Sequence, residues 1–147
     1  MVTRSVNNQI NFFPGFLDQA YAEGLKQYCG DLFAELDRIE TAYMDDPAGK
    51  SQAMQAFSGE LGGRMRRFKV PVSRITDHIM HIVEIAGTDH VGFGSDFDGV
   101  PALPDKVGGS DIYPELIKIL RESGFSDEDV AKIAGKNFLR VVNENFD

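Results

Sequence analysis

The chain has 147 residues, with 15 Lys and Arg against 23 Asp and Glu, a formal net charge of −8, and 42% hydrophobic residues. This length suits one domain with its own core. The hydrophobic content excludes a disordered chain, and the acidic balance excludes a broad electrostatic surface for nucleic acid or anionic lipid.

At the N-terminus, Arg4 is followed by Asn7, Asn8 and Gln9, where a signal peptide needs an apolar run. No stretch approaches the roughly 20 apolar residues of a membrane span, so a soluble, cytoplasmic chain is expected. Ile10-Asn11-Phe12-Phe13-Pro14-Gly15-Phe16-Leu17 predicts a short buried strand punctuated at Pro14-Gly15. Residues 18–68 predict two helices, broken at Asp45-Asp46-Pro47-Ala48-Gly49. Leu32, Phe33, Leu36, Ile39 and Tyr43 form the apolar face of the first; Met54, Phe57, Leu61 and Met65 form that of the second. The cluster Arg64, Arg66, Arg67 and Lys69 fits a solvated helix end better than a phosphate site.

Val70-Pro71-Val72 predicts an extended stop, and Ser73 is expected to cap a helix over 73–86 that Gly87 ends. Its inward face is read as Ile75, Ile79, Ile82, Val83 and Ala86. Residues 90–94 predict a second short strand, opening into a Gly- and Asp-rich loop that reaches about Ser110. A helix over 113–122 is stopped by Gly124. Ser126 opens a capping box for a last helix that turns Val130, Ile133, Ala134, Phe138, Leu139 and Val142 inward. Strands alternating with helices imply parallel βα units, so the two strands should be parallel and adjacent.

The richest segment for chemistry is Val91-Gly92-Phe93-Gly94-Ser95-Asp96-Phe97-Asp98-Gly99. Ligands gather at the carboxyl ends of strands in parallel α/β folds. On an extended segment Asp96 and Asp98 share a face, where a carboxylate moves a proton or holds an ammonium group; Asp is equally at home as a turn former. Asn11 with Phe12, Phe13 and Phe16 reads either as a lip lining a substrate or, more simply, as core packing. Asp77, His81 and Glu84 share a helix face, but the spacing is not the helical zinc signature, and an amphipathic edge explains it. Cys29 is the single cysteine, and it sits in an acidic helix without the cationic company a reactive thiolate needs. A cysteine hydrolase is therefore not expected.

Five blocks in order carry a family resemblance: Asn11-Phe12-Phe13-Pro14-Gly15-Phe16, Thr76-Asp77-His78-Ile79-Met80-His81-Ile82, the segment from Val91 to Gly99, Tyr113-Pro114-Glu115-Leu116, and Gly135-Lys136-Asn137-Phe138-Leu139-Arg140-Val141. Together they resemble the renal (membrane) dipeptidase family, matching its C-terminal part from about Gln9 onward. The resemblance implies an α/β fold: the C-terminal portion of a TIM (β/α)8 barrel, mostly helical with about two short parallel strands, with residues 1–147 forming one partial-barrel domain. It implies hydrolysis of dipeptides by a zinc pair in the complete enzyme. No tightly bound metal is expected in this chain, because the family's His-x-Asp, bridging Glu and two later His have no counterpart here. By resemblance Asp96 is the catalytic acid, while Asn11, Phe16 and Asp98 lie at the substrate; Phe16 stands where some relatives carry Tyr. The expected partners are a dipeptide, and either a second copy of the chain or the missing half-barrel, with Phe12 or Phe93 at the seam. The alternative is a non-catalytic module that self-associates through that surface.

Overall fold

A computed structural model describes residues 7–146. Strand β1 (Asn8–Asn11) pairs with β2 (Val91–Ser95), and the pairing is parallel and adjacent, as the strand–helix–strand order requires. The register runs Asn8↔Val91, Gln9↔Gly92 and Ile10↔Phe93, then skips one residue to Asn11↔Ser95. The skipped residue is Gly94. A Cβ there would stand 2.7 Å from Gln9 Cβ, 2.9 Å from its carbonyl carbon and 3.1 Å from Ile10 O. Glycine is what lets β2 bulge against β1 at this point.

Between the strands lie α1 (Pro14–Leu17), α2 (Gln19–Tyr28), α3 (Gly30–Ala42), α4 (Pro47–Met65) and α5 (Ser73–Ala86). The segment predicted as two helices is three. The extra break falls at Cys29, whose backbone leaves helical geometry (φ −131°, ψ 13°) while its side chain is buried. Asp18 caps α2 by accepting from Tyr21 N (3.0 Å), and Asp46 caps α4 by accepting from Gly49 N (3.0 Å) with Pro47 following. Ser73 does not cap α5. Val72 already has helical angles (φ −57°, ψ −28°) and its carbonyl accepts from Ile75 N, so Ser73 sits inside the helix. Gly87 ends α5 at a φ of 88°, a conformation that favours glycine.

After β2 come α6 (Tyr113–Glu122), α7 (Asp127–Ala131) and α8 (Asn137–Phe146). Ser126 caps α7 as expected, its Oγ accepting from Asp129 N at 3.1 Å. The predicted last helix is interrupted by a wide π-type turn over Lys132–Lys136, with non-helical angles at Gly135. That bend rotates the faces. Val130 and Ile133 are buried, whereas Ala134, Phe138 and Leu139 face outward, Phe138 and Leu139 at 54% and 58% exposure. One helical period does not run through a kink. Ala86, in the last turn of α5, is likewise exposed rather than inward.

One face of the sheet packs on α5 and α6 through Phe12, Val91, Ile75, Ile79, Leu116 and Leu120, all fully buried. Burying an aliphatic or aromatic side chain of this size contributes about 1.5–3 kcal/mol. Phe12 meets Phe93, Phe97 and Tyr113 edge-on, with ring centroids 6.4, 5.8 and 6.3 Å away. Phe12 is thus spent inside the chain and is not available for a seam with another. Among the described residues, no helix is long and apolar enough to cross a membrane.

Candidate active site at the strand ends

The C-terminal ends of β1 and β2 bring Asn11 and Asp96 together from 85 residues apart, and Asn11 Nδ2 donates to Asp96 Oδ2 at 2.9 Å. The Asn11 Oδ1 accepts from Phe13 N at 2.7 Å, an Asx turn that closes β1, and Phe12 N donates to Ser95 O at 3.0 Å. At the end of β2 the chain enters left-handed backbone at two consecutive non-glycine residues, Ser95 (φ 37°) and Asp96 (φ 65°). Such positions cost about 1–3 kcal/mol each and persist where the surroundings impose them. Gly99 N then donates to Asp96 O at 3.1 Å, closing a turn. A Cβ on Gly99 would collide with the Asp96 carboxylate, so glycine there makes room for the carboxylate against the turn.

This geometry corrects one premise of the sequence reading. Asp96 and Asp98 do not share the face of an extended segment, because the backbone turns at Asp96. Asp98 is an exposed turn residue. Phe16 is 67% exposed and stands edge-on to Phe13, with centroids 5.2 Å apart. It borders a cleft of about 400 Å³ that also reaches Asp18, Arg74 and His78. Arg74 pairs with Asp18 (3.3 Å) and Asp77 (3.4 Å), and His78 Nε2 lies 3.0 Å from Leu17 O.

Asp77, His81 and Glu84 lie along α5, and neither they nor His78 form a metal-holding group. Among the described residues, no group of three or more His, Cys, Asp or Glu is close enough to hold a metal ion. The donor chemistry a metal centre needs is not assembled by these side chains. The basic cluster behaves as a helix end: Arg64 pairs with Asp31 and Glu60, Arg67 lies 3.8 Å above the Tyr28 ring, and Lys69 faces Asp105. Burial pushes the Cys29 thiol up, which works against a thiolate nucleophile.

Two features of the site were not identified from the sequence. Left-handed backbone at Ser95 and Asp96 has no glycine to announce it. The anchor of β2 is Asn137, 3% exposed, whose Nδ2 donates to Thr88 O (2.6 Å) and Val91 O (3.0 Å). Asn137 opens an amphipathic helix that also carries Arg140, Asn143 and Glu144, so its polarity alone did not mark it.

A parallel strand pair backed by helices presents its carboxyl ends where ligands gather in α/β folds. The membrane dipeptidase family (peptidase family M19) matches residues 5–146, and the chain belongs to that family. It is similar to the dipeptidase ataJ of Aspergillus terreus, at 47% identity over 74 residues, covering 49% of this chain and 18% of that protein. It is also similar to the dipeptidase tcpJ of Claviceps purpurea, at 38% identity over 76 residues, covering 52% of this chain and 18% of that protein. The matched stretches thus span less than a fifth of the length of these curated relatives.

Proposed function

We propose that this chain supplies the strand-end acid of a dipeptide-hydrolysing α/β barrel, of which it forms the C-terminal portion. The observation that carries the reading is the Asn11–Asp96 contact at the paired strand ends, in a chain of a dipeptidase family. With Oδ2 bonded to Asn11, the other carboxylate oxygen of Asp96 lies against Gly99 in an exposed turn. There it takes a proton from the attacking water and passes it to the nitrogen of the breaking peptide bond, which leaves as an amine. By the resemblance, Phe16 and Asp98 would meet the dipeptide side chain and its ammonium group; Phe16 lines the cleft with Asp18, Arg74 and His78, and Asp98 is exposed on the turn.

Zinc is the metal the resemblance implies for the complete enzyme. The described residues of this chain do not form a donor set for it, so its ligands would be supplied from outside this sequence. The surface that meets the rest of the barrel, or a second copy of the chain, would include the exposed Phe138 and the neighbouring groove of about 370 Å³ lined by Gln9, Phe93 and Gly94. This same surface is what favours the alternative, a self-associating module without activity.

The test is dipeptide hydrolysis by this chain joined to, or co-expressed with, the remaining barrel of a family member. Asp96→Asn should lower kcat by about 10²–10⁴-fold with little change in folding, because Asn also suits the turn. Asp98→Asn should cost less. Full activity in Asp96→Asn would remove Asp96 from the mechanism, and no hydrolysis by the joined wild-type chain would favour the self-associating module.

A further inference from the structure

We infer that Asn11 is a positioning residue: it aims the Asp96 carboxylate, and does not itself bind substrate. The catalytic meaning of this role rests on the function proposed above; the role itself does not. Asn11 Oδ1 accepts from the Phe13 N–H and Asn11 Nδ2 donates to Asp96 Oδ2. Turning the amide over would set its oxygen against a carboxylate and its NH2 against an N–H donor, so the two contacts fix its orientation together.

Few other side chains could do both. Asp would keep the backbone contact but place one carboxylate against another. Lys or Arg could donate to Asp96 but could not accept from Phe13. Gln adds a methylene to a contact already at 2.9 Å.

The two partners are held unequally. Asn11 sits on β1, whose next residue, Phe12, is fully buried and hydrogen-bonded to Ser95 O. Asp96 lies past the end of β2, exposed, in left-handed backbone. An exposed aspartate has three χ1 wells open to it. Asn11 selects the one that keeps Oδ2 toward β1 and leaves the other oxygen over Gly99. Order therefore passes from the buried strand to the exposed carboxylate.

Side-chain NMR on the 147-residue chain tests this. Asp96 should occupy a single χ1 rotamer in the wild type, with a through-hydrogen-bond coupling between Asn11 Nδ2 and Asp96 Cγ. In Asn11→Asp the Phe13 amide should stay protected from exchange, because its acceptor remains, while Asp96 averages over its rotamers. If Asn11→Asp does not fold, Asn11→Ser serves: its hydroxyl can accept from Phe13 N but is too short to reach Asp96. Asp96→Ala should leave the Asn11 rotamer unchanged. A single Asp96 rotamer persisting in Asn11→Asp or Asn11→Ser would overturn the proposal, as would an Asn11 that loosens in Asp96→Ala.

In the joined enzyme, misaiming the acid should lower kcat by about ten- to a hundredfold and leave KM within about twofold. A rise in KM with kcat unchanged would instead make Asn11 a substrate contact and overturn the role. If Asp96→Asn proved fully active while Asn11→Asp released the Asp96 rotamer, the positioning would stand and the proposed reaction would fall.

Discussion

The α3–α4 hairpin and the tips of β1 and β2 both join segments distant in sequence, and they do so with different tolerance. In the hairpin, Leu32, Ile39, Phe57 and Leu61 are buried, while Arg64–Asp31 and Lys50–Glu40 pair at 2.6 Å on the outside. Exposed pairs of this kind contribute about 0–1 kcal/mol each, and apolar packing accepts small shifts. Gly59, Gly62 and Gly63 of α4 face open space. At the strand tips there is no such slack. Gly94 touches the backbone of β1, Gly99 touches the Asp96 carboxylate, and one asparagine satisfies two partners at once. Material for a scaffold sits in the first region, and geometry fit for chemistry sits in the second.

Glycine-to-alanine substitutions break this comparison most directly. Gly94→Ala should destabilise by about 1–3 kcal/mol, read as a lower denaturant midpoint, because its Cβ meets backbone that cannot yield without unpairing the strands. A midpoint equal to wild type would show that the tip relaxes as freely as the hairpin. Gly62→Ala should act in the opposite direction and raise stability by about 0.5–1 kcal/mol, since the new methyl meets nothing and the helix gains propensity. Destabilisation there would mean that this face of α4 is covered in solution.

Two ion pairs, one in the hairpin and one at the entrance to β2, respond alike to acid. The Arg64 guanidinium beside Asp31 holds that carboxyl below its ordinary 3.8, and Lys132 does the same for Asp89 just before β2. A carboxylate whose folded value is depressed adds stability that is present above the ordinary value and lost as pH falls through the folded one. Urea midpoints should therefore drop as pH falls below 3.8, and Asp31→Asn and Asp89→Asn should each flatten that drop. An unchanged slope in either variant would show that its pair adds nothing to folding.

Much of this arrangement was legible in the sequence because local chemistry marked it. The short apolar run at Val91, Gly87, Gly124 and the Ser126 cap each act within a few residues, and the structure places them as read; Pro14-Gly15 instead open α1, so the strand read over 10–17 stops at Asn11. The break at Cys29 was missed although Gly30, which weakens a helix, follows it and opens α3. The exposure of Phe138 and Leu139 was missed because the π-type turn before them changes the phase of the helix. At the site, Asn11 and Asp96 were both singled out, but their contact spans 85 residues and no spacing rule reports it. The assumption of extended backbone between Asp96 and Asp98 failed for a related reason: two left-handed residues without glycine are imposed by tertiary structure.

The buried Asn137 has a consequence for how the chain is made. Its amide completes the carbonyls of Thr88 and Val91, at the entrance to β2, and β2 in turn is the partner of β1. During translation β1 emerges more than a hundred residues ahead of Asn137 and waits while they are added. At about 5–20 residues per second that interval is on the order of ten seconds, during which Ile10 and Phe12 have no completed sheet to enter. A ribosome-stalled chain ending before residue 137 should leave β1 open to proteases and holdase chaperones, and one extended past α8 should not.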